Sequence, residues 1–332
     1  MTPIRWGILG AGGIAAKFGS DLRAAPGSTI AAVAARDGRR AAAFAGRLGI
    51  PRSYGSYREL VEDEDVDVVY IATTHAQHHE QALLALRAGK PVLVEKAFTL
   101  NARQAREVAT EARERGLFCM EAMWMRLHPL IRQVVELVRT GELGDIVGLR
   151  ADLSKTFDPD RDVRLFDPAA GGGALLDLGV YPVTLAWLLL GRPAIVQASG
   201  SRGPTRVDLT AALQLGYEDG RVGQVYCSAI SESPYAALLT GTAGWVRFEG
   251  RMHHPTALTV HTAAGERVLS APPVQGNGFN WEIAEVESCL RDGVTESPLA
   301  PLEDTIGVLE ILDDARRQLG VRYDADEDAD RD

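Results

Sequence analysis

The residues Gly10, Gly12 and Ala15 have the spacing G-x-G-x-x-A directly after the first apolar run of the sequence. Between a strand and a helix this spacing is a dinucleotide-binding fingerprint. Gly10 allows a tight turn, Gly12 lets the backbone approach a pyrophosphate, and the helix N-terminus offers N–H donors. We expect Gly13 and Ile14, which open that helix, to take part in the binding. The alternative interpretation is a plain glycine-rich turn.

Arg36 follows the second apolar run and decides which dinucleotide is expected. An NAD site places an acidic side chain there for the ribose 2′-hydroxyl, whereas here the run ends in Val33-Ala34-Ala35 and Arg36 comes next. Arginine suits a 2′-phosphate, so the sequence predicts NADP rather than NAD as cofactor. The alternative is that Arg36 is solvated and the adjacent Asp37 binds the ribose.

Lys96, Asp177 and Tyr181 are the candidates for proton chemistry. Lys96 follows Glu95 at the end of an apolar run, at the sheet edge where doubly wound folds bind ligands. Asp177 and Tyr181 are four residues apart and therefore face one side of a helix. A tyrosine with a pKa near ~10 moves protons at neutral pH when a cation such as Lys96 stabilises its phenolate. The alternatives are a lysine that only extends to solvent and a structural Asp-Tyr helix.

The composition excludes several classes of protein. With 46% hydrophobic and 24% charged residues, the 332-residue chain is an ordinary globular protein with room for two domains. A net charge of -10 without a basic stripe argues against nucleic acid as a partner. No uninterrupted apolar run reaches the ~20 residues of a membrane span, so no membrane partner is expected. Three scattered cysteines and a start unlike a signal peptide predict a cytoplasmic protein.

Elements that would position these residues alternate along the first part of the chain. Apolar runs predict strands at 4–9, 29–35, 66–72, 91–94 and 117–121, and amphipathic segments between them predict helices, for example at 76–87 and 102–115. This alternation is typical of a parallel sheet covered by helices on both faces. We therefore predict an α/β fold with an N-terminal Rossmann domain, a doubly wound parallel sheet, over residues 1–121.

The pattern changes in the second part of the chain. We predict helices at 129–139, 174–190, 281–291 and 302–319, a strand at 146–153, and repeated period-2 strands over 194–262. This is a C-terminal α/β domain, residues 122–322, with an open, mainly antiparallel sheet. The helix at 302–319 could return to pack on the first domain, and residues 323–332 are predicted to be an acidic, disordered tail.

Three motifs together resemble the Gfo/Idh/MocA oxidoreductases, with a similar layout over about residues 4–320. They are Gly10-x-Gly12, Glu95-Lys96 and the run from Gly172-Gly173 through Asp177 and Gly179 to Tyr181. Two features resemble one branch of the family, that of dimeric dihydrodiol dehydrogenases and NADP-dependent D-xylose dehydrogenases. They are the segment from Met120 to Arg126 and Tyr181, which stands where many members carry histidine. Two departures are Ala97, where a proline usually follows Glu-Lys, and Ala15, which replaces the last fingerprint glycine.

The resemblance implies roles for individual residues. Lys96 and Tyr181 would form the acid/base pair on the reacting hydroxyl, with Asp177 orienting them. Cofactor contacts would come from a set of residues near the strand ends, namely Thr73, His75, His78, Glu95 and Lys96. Trp124 and Arg126 would approach the nicotinamide or the substrate. Because no cysteine or carboxylate cluster completes a site around the histidines, no metal is predicted.

The predicted function is hydride transfer between NADP and a hydroxyl or carbonyl carbon of a cyclic sugar or vicinal diol, of the D-xylose or trans-dihydrodiol type. Reduction of a keto or anhydro sugar by the same chemistry stays open. A non-catalytic NADP-binding regulator is the alternative from another class, although Lys96, Asp177 and Tyr181 together argue against it. A homodimer is expected on the outer sheet face of the second domain, because strands around 207–240 are rich in Ala, Leu and Val.

Overall fold

The structure is a computed structural model that describes residues 2–274 and 276–327. The chain divides into two compact units. The first contains residues 1–99, 103–124 and 274–305, and the second contains residues 100–102, 125–273 and 306–332. Residues 274–305 thus group with the first unit, whereas the sequence-based division assigned them to the second domain. The helix at 302–319 belongs to the second unit from residue 306 onward.

Each unit is built on one sheet. In the first unit, six parallel strands lie in the order β3-β2-β1-β4-β5-β6, which is the predicted Rossmann arrangement. The strands are β1 (Ile4–Leu9), β2 (Ser28–Ala34), β3 (Arg52–Tyr54), β4 (Val68–Ile71), β5 (Val92–Glu95) and β6 (Cys119–Ala122). The three-residue edge strand β3 was not predicted, since Arg-Ser-Tyr forms no apolar run. From β1 the chain adds β2 and β3 on one side of the sheet, and then returns to add β4, β5 and β6 on the other side. Ligands of such sheets bind outside the carboxyl ends of the strands at this change of side, between β1 and β4.

The second sheet has eight strands in the order β14-β13-β12-β11-β7-β10-β9-β8. All neighbouring pairs are antiparallel except β7 with β10, as expected for an open, mainly antiparallel sheet. The strands are β7 (Ile146–Ser154), β8 (Ile195–Arg202), β9 (Asp208–Gly216), β10 (Val222–Ser228), β11 (Ala237–Gly241), β12 (Gly244–Arg251), β13 (His254–Thr262) and β14 (Gly265–Ser270).

The helices are α1 (Gly13–Ala24), α2 (Gly38–Leu48), α3 (Tyr57–Val61), α4 (His75–Arg87), α5 (Ala102–Arg115), α6 (Pro129–Arg139), α7 (Val180–Leu190), α8 (Asn280–Asp292), α9 (Leu302–Leu319) and α10 (Asp324–Glu327). The helices α5, α6 and α9 have the predicted bounds, whereas α7 begins later than predicted and α10 lies in the segment that was predicted to be disordered. Side chains at the N-caps explain several starts: Asp37 accepts from the N–H of Arg39, and His128 accepts from that of Leu130.

Helix α8 completes the core of the first unit. Phe279, just before it, lies 6.0 Å from the ring of Phe18, which stacks on Tyr70 at 3.8 Å. The indole N–H of Trp6 donates to Ser28 Oγ at 2.8 Å, and the Ser28 hydroxyl donates in turn to Glu287 of α8. Sequence periodicity gives α8 an apolar face but does not indicate its packing partner, so the grouping of residues 274–305 with the first unit could not be predicted.

In the second unit one face of the sheet packs on α7. Leu213, Leu215 and Val225 are buried on that inner face. In α9, Gly307 lies against Trp187 of α7 so closely that an added Cβ would stand 2.0 Å from the indole. The stretch Pro168–Leu190 has a mean hydropathy of 1.7 over an 18-residue window and is long enough to span a membrane. However, 89% of that window is buried, as in the core helix of a soluble protein.

The predicted acidic tail is ordered over the part that the structure describes. Tyr323 is 3% exposed, and its hydroxyl donates to the carbonyl of Gly172 at 2.5 Å. Arg316, itself buried, bonds to Asp326 at 2.7 Å and lies over the Tyr323 ring. The prediction of disorder is therefore wrong for residues 323–327, because buried aromatic and ion-pair contacts hold them. The remaining residues, 328–332, lie outside the described part of the chain.

Candidate active site

The glycine turn joins β1 to α1 in the first unit, as predicted. Gly10 has φ of +106°, its N–H donates to the carbonyl of Ala34 at 2.9 Å, and an added Cβ would lie 2.5 Å from the carbonyl oxygen of Ala72. At Gly12 and Gly13, in contrast, an added Cβ would meet no protein atom within 4 Å. Of these three glycines, packing of the protein therefore requires only Gly10. The other two leave open space in front of a helix N-terminus, which suits a pyrophosphate.

Arg36 is exposed after β2, and its guanidinium group and that of Arg40 both act on the Tyr57 side chain. Burial raises the pKa of the half-buried Tyr57, while the guanidinium groups of Arg36 and Arg40 act in the opposite direction. Asp37, the alternative ribose ligand, instead caps α2 by accepting from the N–H of Arg39 at 2.8 Å. Arg40 and Tyr57 were not predicted, and no spacing in the sequence connects them with Arg36.

Glu95 and Lys96 come at the carboxyl end of β5. Glu95 is buried, accepts a hydrogen bond from the Tyr70 hydroxyl at 2.5 Å and another from the backbone N–H of Lys96 at 3.2 Å. Burial raises the pKa of Glu95 to about 7. Lys96 is half-buried and joined to Ala97 by a cis peptide bond. Glu95 therefore fixes the backbone from which the Lys96 side chain projects.

Two of the predicted cofactor residues, His75 and His78, belong to helix α4, and His78 contacts the segment that follows β5. His78 is fully buried, with Nδ1 2.8 Å from the carbonyl oxygen of Ala97 and Nε2 3.3 Å from that of Thr73. His75 is also buried, with its ring 5.7 Å from that of His78. The structure thus gives His78 a backbone-binding position beside Lys96. The Thr73 hydroxyl is buried with no hydrogen-bond partner within residues 2–274 and 276–327, and it could bind a polar ligand.

Trp124 and Arg126 lie on the 3-10 turn Trp124–Leu127, in the first and second units respectively. The Trp124 ring is 5.5 Å from that of Phe279 in a tilted arrangement. Arg126 is buried, with 5% of its surface exposed. Phe279 was not predicted, because nothing in the sequence connects position 279 with position 124.

Asp177 and Tyr181 lie in the second unit, where the predicted long helix begins differently from expectation. Residues Leu175–Gly179 form one π-helical turn, and the α-helix α7 starts only at Val180. Such turns, with their i→i+5 bonds, occur frequently at functional sites. Asp177 and Tyr181 are 9% and 8% exposed. The Tyr181 ring lies 5.1 Å from the ring of His253, which was not predicted.

A network of close contacts fixes the start of this turn. Asp208 is fully buried and its Oδ2 accepts from the N–H of Leu175 at 2.6 Å. Gly173 has φ of +127°, and an added Cβ would lie 2.3 Å from Asp208 Oδ1. The Tyr323 hydroxyl also donates a hydrogen bond to the Gly172 carbonyl. Together these close contacts explain why glycines occupy positions 172 and 173, before Asp177. They also explain why the π turn was missed, since its partners are distant in sequence.

Metal ligation and thiol chemistry find no support in the described residues. Within residues 2–274 and 276–327, no group of three His, Cys, Asp or Glu is arranged to hold a metal ion. Cys119, Cys227 and Cys289 are buried, unpaired thiols. Burial raises the pKa of all three, so they behave as apolar filling.

Comparison with known proteins identifies the class. Residues 4–123 match the model of the oxidoreductase family with an NAD-binding Rossmann fold, and residues 131–247 match the GFO/IDH/MocA C-terminal domain. The chain therefore belongs to the Gfo/Idh/MocA family of oxidoreductases. It is a dehydrogenase or reductase that acts on CH–OH groups with a nicotinamide dinucleotide.

Particular relatives are similar along almost the whole chain. The trans-1,2-dihydrobenzene-1,2-diol dehydrogenase of Mus musculus is 40% identical over 335 residues, covering 97% of this chain and 99% of the relative. The human enzyme is 38% identical over 334 residues, with the same coverage. Among solved structures, a 3-ketoreductase from Actinomadura kijaniata in complex with NADP and TDP-benzene has a TM-score of 0.84 at 29% identity, covering 96% of this chain and 98% of that chain.

Proposed function

We propose that this protein is an NADP-dependent dehydrogenase that oxidises a hydroxyl carbon of a cyclic sugar or vicinal diol, or reduces the corresponding carbonyl. The observation that carries the proposal is the presence of three residues in a chain with an open glycine turn: Lys96 after a strand end, Asp177 on the π turn and Tyr181 in the first turn of α7. The buried thiols are in line with a cytoplasmic location.

The residues that would hold the cofactor fit NADP. Open space at Gly12 and Gly13 would accept the pyrophosphate at the N-terminus of α1. Arg36 and Arg40 offer two positive charges for a 2′-phosphate, whereas the Asp37 carboxylate is used as a helix cap. When bound, the nicotinamide exchanges a hydride with the substrate carbon. A carboxylate ligand for the ribose, expected for NAD, has no other candidate at the end of β2.

The protein's own contribution would be proton transfer and positioning. We assign the Tyr181 phenolate to accept the proton of the reacting alcohol, and the neutral Tyr181 hydroxyl to donate that proton to the carbonyl in the reverse direction. The Lys96 ammonium would stabilise the phenolate form that this transfer needs. Asp177 would orient the reacting groups from the turn before Tyr181. The low exposure of Asp177 and Tyr181 restricts water around the transferred proton.

The substrate class is taken from the relatives. Full-length similarity to dihydrodiol dehydrogenases supports a vicinal diol or cyclic sugar as substrate. Reduction of a keto sugar is the second candidate, favoured by the structural similarity to the Actinomadura ketoreductase. The two candidate functions differ in the direction of the reaction: the first oxidises the hydroxyl carbon of a substrate with NADP⁺, and the second reduces the corresponding carbonyl with NADPH.

The test is absorbance at the reduced-nicotinamide band with NADP and NAD, against a panel of aldoses, cyclic diols and keto sugars. Tyr181→Phe keeps the ring and should lower kcat by roughly 10²–10⁴-fold, while cofactor affinity and unfolding stay unchanged. Tyr217→Phe is the matched control, since Tyr217 is a buried tyrosine of the same unit with the same 8% exposure. Near-normal turnover in Tyr181→Phe would show that another group moves the proton.

We also propose a homodimer through the outer face of the second sheet, but with a different reason from the one the sequence suggested. Leu213, Leu215 and Val225 face the unit's own core and are not available for a partner. The outer face instead presents Tyr226, which is 39% exposed and lies on β10. On the neighbouring strand β7, Tyr226 is in register with Asp152, and Arg150 is two residues further along, opposite Gln224. Tyrosine and arginine are residue types enriched at protein interfaces.

A further inference from the structure

A salt bridge links the candidate catalytic Asp177 to a residue that neither spacing nor resemblance indicated. Arg164 Nη2 donates to Asp177 Oδ1 at 2.9 Å. The Asp177 side chain is 11% exposed and that of Arg164 is 42% exposed. The arginine thus reaches from the surface to a carboxylate that is almost entirely buried. A carboxylate in such a place depends strongly on its partners, because few water molecules can replace them.

We propose that Arg164 is a positioning residue for the reaction: its guanidinium holds the Asp177 carboxylate in the orientation that the chemistry with Tyr181 requires. The inference rests on the proposed function, in which Asp177 orients the reacting groups. Arg164 acts through Asp177 and is not itself assigned a contact with substrate or cofactor.

The backbone that carries Arg164 is built to deliver this contact. Arg164 lies in the 3-10 turn Val163–Phe166, where Leu165 is buried and Val163 is exposed. The carbonyl of Leu165 accepts from the N–H of Gly173 at 2.8 Å. A Cβ on Gly172 would lie 2.5 Å from the Leu165 carbonyl oxygen and 2.7 Å from that of Arg164. The two segments therefore meet backbone to backbone, which only glycine at position 172 permits.

This anchoring has a consequence for testing. Leu165 and the glycine contacts hold the turn without help from the Arg164 side chain. Replacing Arg164 should therefore leave the loop, the π turn and the fold in place and remove only the bond to Asp177. Arginine forms a planar fork that fixes a carboxylate, whereas lysine offers a point charge on a flexible stem. The conservative change should therefore restore the charge but only part of the orientation.

The experiment measures kcat and KM for the wild type, Arg164→Met, Arg164→Lys, Asp177→Asn and the double variant Arg164→Met/Asp177→Asn with the best substrate of the panel. Arg164→Met should lower kcat by roughly 10–100-fold with KM within about twofold, and Arg164→Lys should recover part of the loss. Because Arg164 acts through Asp177, the double variant should be no slower than Asp177→Asn alone. Arg161→Met is the control, since this arginine of the same loop is 87% exposed and pairs only loosely with Asp158, at 3.6 Å.

Two outcomes would overturn the inference: unchanged kcat with a raised KM in Arg164→Met, which would make Arg164 a substrate contact, or fully additive losses in the double variant. Both are distinct from failure of the proposed function. Absence of turnover in the wild type, or full activity of Asp177→Asn, would remove the proposed reaction or the role of Asp177 before Arg164 is considered. Circular dichroism and thermal unfolding of each variant verify that the fold is retained.

Discussion

Asp208, which caps the π turn carrying Asp177, should make the protein less stable as pH rises. Burial raises the pKa of Asp208 from 3.8 to about 6, against the opposing effect of the Leu175 N–H. Below pH 3.8 the carboxyl is protonated in both the folded and the unfolded chain and makes no difference. Between pH 3.8 and 6 the unfolded chain has released a proton that the folded chain retains, so the free energy of unfolding falls with pH.

The magnitude follows from the shift. Two pKa units at 1.36 kcal/mol each correspond to about 3 kcal/mol, lost between pH 4 and 7. Asp208→Asn removes the titration and keeps an oxygen that can accept from Leu175. The free energy of unfolding of Asp208→Asn relative to the wild type should therefore rise by about 3 kcal/mol over that range. Glu95 and the buried Glu282, whose pKa values are also raised, are present in both proteins and cancel in the difference.

The assay is urea unfolding, followed by far-ultraviolet circular dichroism, at half-unit steps from pH 4 to 7.5. Asp219→Asn provides a control of opposite sign. Asp219 is exposed, and its hydrogen bond from Arg221 lowers its pKa. Its contribution to stability is therefore lost as pH falls. Parallel pH curves for Asp208→Asn and the wild type would refute the reasoning, because they would mean that Asp208 titrates alike in both states.

Three further predictions concern the cofactor, the packing and the assembly. Arg36→Ala should weaken NADP binding at least tenfold, measured by calorimetry, because it removes a charge-assisted bond of roughly 1.5–3 kcal/mol. The affinity of Arg36→Ala for NAD, and the affinity of the control variant Arg39→Ala for NADP, should stay nearly unchanged. Gly307→Ala should destabilise the protein by about 1–2 kcal/mol in thermal unfolding, since overpacking outweighs the gain in helix propensity. Gly46→Ala, in a helix with open space around it, should stabilise by up to about 1 kcal/mol. The wild type should have a dimer mass by light scattering at micromolar concentration and Tyr226→Glu a monomer mass; a monomeric wild type would contradict the proposed interface.

Residues whose chemistry depends on local spacing could be predicted from the sequence. The glycine turn after β1 and the position of Lys96 after β5 follow from the alternation of apolar runs with amphipathic segments. The helices α5, α6 and α9 have the predicted bounds, because their apolar periodicity and flanking Gly or Pro define both ends.

Residues whose position depends on tertiary contacts could not be predicted from the sequence. Arg164 and Phe279 reach their partners only after distant segments have packed, and the π turn at Leu175–Gly179 depends on Asp208 from another strand. For the second sheet, the sequence predicted strands at 146–153 and over 194–262 but not β14, and it did not indicate which face of the sheet each apolar side chain covers. For this reason Leu213 and Val225, although correctly predicted in strands, gave the wrong argument for a dimer.

The first unit is formed by segments that are distant in sequence, residues 1–99, 103–124 and 274–305, and this affects how the chain folds during synthesis. Its core includes Phe279 and Ile283, and the Trp6–Ser28 pair is completed by Glu287. At ~5–20 residues per second, a ribosome that has finished residue 124 needs on the order of 10–40 s to reach residue 305. During that interval the nascent nucleotide-binding half exposes the aromatic surface that α8 later covers. Nascent chains of this protein should therefore be clients of ribosome-associated chaperones, and a gene fragment that stops near residue 124 should yield aggregated material rather than a free-standing Rossmann domain.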